Sequence, residues 1–123
     1  RFPKVNQPNV LVCLTQEAYN KFSNSIRPGG LLLTDSHYVK VERRVEARQI
    51  GLEMYKSVMD RIGKPVVLNI CMLGAVIGLT HIVKTESIMK VLETKIPRGF
   101  LDMNKQALDL GFQLAEASAV KQG

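Results

Sequence analysis

The sequence has 123 residues, 46% hydrophobic and 23% charged, proportions that exclude a disordered, collagen-like or coiled-coil chain and allow a core without staples. Lysine and arginine number 17 against 11 acidic residues, a net charge of +6 that favours anionic partners without naming one. Cys13 and Cys71 stand alone in apolar settings, which fits neither a disulfide framework nor a zinc cluster and points to a reducing cytoplasm.

The chain opens on Arg1-Phe2-Pro3-Lys4-Val5, with neither a methionine nor an apolar leader, and reads as part of a longer gene product. Asn9 to Thr15 is a short β-branched run behind Pro8, the pattern of a strand buried on both faces of a parallel sheet. Thr15 suits the N-cap of a helix over Gln16–Ile26, with Ala18, Tyr19, Phe22 and Ile26 at helical spacing. Arg27-Pro28-Gly29-Gly30 stops that helix, and Leu31–Asp35 forms a second buried strand. Strand, helix and strand make a right-handed βαβ unit with parallel pairing.

From Tyr38 to Ile50 the pattern is mixed. Val39, Val41, Val45 and Ile50 suit a third strand, whereas Glu42, Arg43, Arg44, Glu46 and Arg48 suit a solvated edge. Met54–Ile62 reads as a short helix stopped at Gly63, and Val66-Val67-Leu68 as a last short strand. Asn69 then caps an apolar helix reaching about His81. The 18 residues Val66–Val83 include Asn69, Thr80 and His81, too few apolar residues for a membrane span, so a buried helix is expected and no span. Thr85 precedes a helix with Ile88, Val91, Leu92 and Ile96 on one face, Pro97-Arg98-Gly99 makes a turn, and a long amphipathic helix runs from Phe100 past Leu114. Lys121-Gln122-Gly123 is expected to fray. No linker or repeat interrupts residues 1–123, so one domain is expected: a three-layer α/β/α fold on a mainly parallel sheet.

Chemistry-bearing residues are few. Open parallel sheets bind ligands at the carboxyl ends of their strands, which here means Thr15-Gln16 and Asp35-Ser36. Free N–H groups after Thr15 could meet a phosphate, although Thr15 could equally be a plain cap and Asp35-Ser36 a plain turn. His37 and His81 have no ligand spacing, and Pro28-Gly29-Gly30 lacks the following Lys-Ser or Lys-Thr of a phosphate loop. The basic stretch Arg43-Arg44 with Arg48 lacks the interleaved aromatics of a single-strand binder, so nucleic acid is not expected. No catalytic residue and no metal ligand can be argued.

The order of segments resembles the gamma subunit of 2-oxoacid:ferredoxin oxidoreductases, the family of pyruvate, 2-oxoglutarate and ketoisovalerate enzymes. The stretches that carry the resemblance are Phe2–Val5 leading to Pro8–Val12, Leu14–Tyr19, and Arg27–Leu31 with Thr34-Asp35-Ser36. Asn69–Ala75, Ile96–Phe100 and Asn104–Gly111 continue it. Each piece is weak alone, whereas six in the same order over nearly the whole chain are specific. Family members usually begin with a strand and a Gly-Gly-Gln-Gly turn, followed by an Arg-Gly-Gly segment, and this sequence has neither. The first strand and helix of the fold are therefore expected to be absent. Val39–Met59 matches poorly, with Ile50-Gly51 where many members have Ile-Pro.

The resemblance implies an accessory subunit of a cytoplasmic complex that oxidatively decarboxylates a 2-oxoacid to an acyl-CoA. Thiamine diphosphate, Mg and iron–sulfur clusters would sit in other subunits, no cofactor would be bound by this chain, and the isolated chain would be inactive. The partners implied are the alpha and beta subunits, with delta as a further candidate, and ferredoxin through the complex. Coenzyme A would approach Thr15, Gln16, Asp35 and Ser36. Alone, the chain is expected to expose apolar surface and self-associate. The competing readings are a stand-alone nucleotide- or phosphate-binding α/β module and a small membrane-associated protein.

Overall fold

The computed structural model describes residues 7–122, with side chains to Ala119. The Phe2–Val5 stretch of the resemblance and the terminal Gly123 lie outside the described residues. Two compact units divide the chain, Arg1–Leu52 and Glu53–Gly123.

The first unit carries a three-stranded parallel sheet in the order β1 (Val10–Cys13), β2 (Leu31–Asp35), β3 (Arg48–Leu52). The register pairs Val10 with Leu31 and Leu31 with Arg48. Every residue of β2 is buried, which is why Leu31-Leu32-Leu33 carries no polar alternation. Between β1 and β2 runs α1 (Gln16–Phe22), continued by a 3-10 turn over Ser23–Ser25. The helix is shorter than its apolar periodicity suggests, because the chain tightens into 3-10 geometry before Ile26 turns extended. A core of Cys13, Tyr19, Ile26, Leu32 and Val39 fills this unit.

The third strand is Arg48–Leu52, so of the four candidate residues only Ile50 lies in it. Val39 is buried in the crossover that precedes the strand, while Val41 is exposed. That crossover, residues 36–47, has no helix; it closes onto α1 through hydrogen bonds rather than a repeating apolar stripe.

The second unit is helical: α2 (Met54–Arg61), α3 (Leu68–Thr80), α4 (Thr85–Lys95) and α5 (Arg98–Gln122). Three expectations are corrected here. Pro65–Val67 is a 3-10 turn leading into α3 rather than a strand, since Pro65 is preset for a first helical turn and supplies no ladder donor. Asn69 lies inside α3 and does not cap it; its Oδ1 accepts from the Ile70 N–H at 2.9 Å. Arg98 and Gly99 belong to the first turn of α5, which begins directly after Pro97 and runs through Gln122.

The 13 residues of α3 are largely apolar, and α5 packs closely along one side of the helix, Gly74 and Gly111 meeting at the crossing, while Asn69 and Leu73 remain exposed. At 1.5 Å per residue the helix is roughly 20 Å long, short of a bilayer. Among the described residues no helix is long and apolar enough to cross a membrane.

Burial pushes the Cys13 thiol up from its ordinary value of 9.0. The folded chain therefore holds this proton where the unfolded chain releases it. The contribution to stability is full below pH 9.0 and is lost as the pH climbs above that value. At pH 8 Cys13 should react with a thiol reagent only after denaturant is added; immediate labelling of the native protein would contradict its burial.

Candidate functional site

At the carboxyl ends of β1 and β2 the four expected residues take different roles. Thr15 has extended backbone and caps α1, its Oγ1 accepting from the Ala18 N–H at 3.0 Å. Gln16, the first residue of α1, turns its amide away from the helix axis. Its Oε1 accepts from the Lys40 N–H at 2.6 Å, and its Nε2 donates to the Lys40 carbonyl at 3.0 Å and the Asn20 Oδ1 at 3.2 Å. The side chain thus satisfies both backbone groups of Lys40, as a neighbouring strand would.

Asp35 is fully buried, and its Oδ1 accepts from the His37 N–H at 2.9 Å, the short-range loop expected of an aspartate in a turn. The Asp35 carbonyl accepts from Tyr38 and Val39, and the Ser36 N–H donates to the Leu52 carbonyl at 2.9 Å. Asp35 therefore shapes the exit of β2, whereas the Ser36 side chain is exposed.

Tyr19 organises the rest of the crossover. Its hydroxyl accepts from the Arg43 N–H at 3.0 Å and lies within donating distance of Gln49 Oε1, also at 3.0 Å. Gln49 Nε2 completes the ring by donating to the Arg43 carbonyl at 2.8 Å. Three elements, α1, the crossover and β3, are joined through one phenol.

Gln16 and Tyr19 fasten a segment that carries Lys40, Arg43 and Arg44 against Glu42 and Glu46. Lys40 is exposed, and its backbone is held beside the Thr15–Gln16 turn, which adds a basic residue to the segment at the strand ends. Lys40 was not singled out in the sequence, because the Gln16 clip that places it binds backbone atoms and leaves no residue-type signature.

The side chains brought together at these strand ends can bind and position; they form no nucleophile–base pair. The chain has two cysteines, both buried, too few for the four thiolates of an iron–sulfur cluster. Among the described residues no group of His, Cys, Asp and Glu is arranged to hold a metal ion.

Residues 1–114 match the sequence model of the family described as pyruvate ferredoxin/flavodoxin oxidoreductase. The chain is 38% identical over 120 residues to the 2-oxoglutarate synthase subunit KorC of Methanocaldococcus jannaschii, covering 94% of this chain and 63% of that protein. KorC of Methanothermobacter thermautotrophicus is 26% identical, with 92% and 63% covered. The chain thus spans a little under two thirds of the length of these relatives. The gamma subunit of a keto/oxoacid ferredoxin oxidoreductase from Geobacter sulfurreducens superposes with a TM-score of 0.85 at 32% identity, over 90% of this chain and 66% of that one. A 2-oxoglutarate:ferredoxin oxidoreductase from Magnetococcus marinus shares the fold, with a TM-score of 0.74 at 24% identity over 89% of this chain and 20% of that one. With its parallel βαβ unit and helical second unit, the chain belongs to the pyruvate ferredoxin/flavodoxin oxidoreductase family.

Proposed function

We propose that this chain works as a gamma-type accessory part of a 2-oxoacid:ferredoxin oxidoreductase, an enzyme that converts a 2-oxoacid to an acyl-CoA and passes the electrons to ferredoxin. The observation that carries this reading is the 38% identity to a 2-oxoglutarate synthase subunit across 94% of the chain. The match over residues 1–114 crosses both compact units, which supports treating 1–123 as one family module. The partners are the alpha and beta subunits, with delta a further candidate, and the setting is cytoplasmic. Thiamine diphosphate, Mg and the iron–sulfur clusters belong to those partners. Without them the chain is inactive, and the outer edge of β1, unpaired among the described residues, favours self-association.

Within the complex, the Thr15, Gln16, Asp35 and Ser36 end of the sheet faces coenzyme A. The Lys40 ammonium and Ser36 hydroxyl offer the groups suited to a phosphate, while Gln16 and Asp35 hold the crossover that carries them. α1 has seven residues and its cap already occupies one N–H, so the cation supports this reading better than the helix terminus does. Co-expression with the alpha and beta subunits tests the assignment: the chain should co-purify in a complex that reduces ferredoxin. In that complex Gln16→Ala should raise KM for coenzyme A about threefold to tenfold with kcat retained, as expected when about 1 kcal/mol of loop positioning is lost. An unchanged KM, with the complex intact, would take the Lys40 crossover out of the coenzyme A site and leave Gln16 a purely structural clip.

A further inference from the structure

A groove of about 350 Å³ opens in the second unit, where the 3-10 turn at Pro65–Val67 and the start of α3 meet the corner between α4 and α5. Val66, Ile70, Ile96, Pro97, Phe100 and Met103 line it. Val66 is 73% exposed and Phe100 58%, so two large apolar side chains face water around one hollow. Scattered exposed apolar residues are ordinary on a protein surface, whereas a pair converging on a concavity marks a contact site.

Local structure holds this display in place. Ile96 ends α4 in extended backbone, and the Phe100 N–H donates to the Pro97 carbonyl at 2.9 Å. Asn104, buried, donates its Nδ2 to the Phe100 carbonyl, also at 2.9 Å. The backbone that carries Phe100 is therefore held through both its N–H and its carbonyl, so little backbone ordering remains for a partner to impose. Asn69, at the same wall, uses its Oδ1 on the Ile70 N–H and keeps an amide donor on the groove.

Three exposed cations stand close to lining residues in sequence: Lys64 two positions before Val66, Lys95 directly before Ile96 and Arg98 directly after Pro97. None is in an ion pair among the described residues. Of the two acids in residues 93–105, Glu93 lies 3.8 Å from Lys105, which leaves Asp102 as the one carboxylate of that stretch outside an ion pair among the described residues. The surroundings are net positive.

We propose that this groove docks an amphipathic segment of a partner subunit, with an apolar side chain seated against Phe100 and Val66 and carboxylates facing Lys64, Lys95 and Arg98. This inference rests on the reading of the chain as part of an oxidoreductase complex. Charge selects the occupant. A second copy packed through the same patch would set identical basic rims against each other, whereas an acidic-flanked segment neutralises them.

The test uses the protein co-expressed with its partner subunits. Phe100→Ser should weaken assembly by on the order of tenfold or more. The double change Lys95→Glu and Arg98→Glu should slow association most strongly at low salt. Val91→Ser, at an exposed position on α4 outside the groove lining, should assemble normally. Circular dichroism of Phe100→Ser should match the parent, since the side chain is largely solvated. If the parent assembles and Phe100→Ser assembles equally well, the docking site is overturned while the subunit reading stands. If the parent forms no complex with the other subunits, the subunit reading fails and takes the docking site with it. If Phe100→Ser instead dissolves a dimer of this chain, the occupant is a second copy and the proposal is overturned.

Discussion

Gly111→Ala should lower stability by about 3 kcal/mol, at the upper end of what overpacking a close helix contact costs. An added Cβ at Gly111 would collide with the Cys71 carbonyl oxygen and sit 2.6 Å from the Ala75 nitrogen. Across the same crossing, a Cβ on Gly74 would strike the Leu108 carbonyl oxygen. Both obstacles are backbone, so no rotamer change relieves them, and α3 and α5 would have to move apart. Gly99→Ala on the same helix provides the contrast. A Cβ there meets nothing within 4 Å, so the better helix propensity of alanine should raise stability by about 0.5 kcal/mol. Urea unfolding of the two variants checks both signs. Equal effects would mean that α3 and α5 do not cross at their glycines.

Tyr19→Ala should cost about 4 kcal/mol, whereas Tyr19→Phe should cost about 1–2 kcal/mol. The phenol ring is 0% exposed and packs in the core with Cys13, Ile26, Leu32 and Val39, so its removal leaves a cavity among residues that α1, β1, β2 and the crossover hold apart. Phenylalanine keeps the ring and loses only the hydroxyl, which stranded Arg43 N–H and Gln49 Oε1 groups must then replace with water. Hydrogen exchange separates the two losses. In Tyr19→Phe the Arg43 amide should exchange faster while the β2 amides stay protected; uniform acceleration across the first unit would show that the ring was displaced as well.

These results turn on features of unequal visibility in the sequence. β2 was legible because a strand covered on both faces needs uninterrupted apolar residues, and Leu31–Leu33 supply them; β1 was placed by the same pattern, but as an edge strand it buries only Cys13 fully and leaves Val10, Leu11 and Val12 half-buried. Thr15 was legible as a cap because its hydroxyl has a local task. Val66-Val67-Leu68 misled for the opposite reason. Its β-branched residues favour a strand, but Pro65 and the packing of α3 on α5 impose a helical turn.

The crossover 36–47 carries no period, since Gln16 and Tyr19 hold it by its backbone atoms. Lys40, which those contacts place, was invisible for the same reason. Gly74 stands in an apolar run, and the Gly111 that meets it lies on another helix, so only the fold brings the two together.

The most direct measurement compares a purified complex containing this chain with the same alpha and beta subunits prepared without it, following ferredoxin reduction with 2-oxoglutarate, pyruvate or a branched 2-oxoacid. With the chain present, reduction should require both one of these 2-oxoacids and coenzyme A, and its loss on omission of the chain should be reversed by adding the chain back. Ferredoxin reduction at the same rate and with the same coenzyme A dependence in its absence would contradict the role assigned to it.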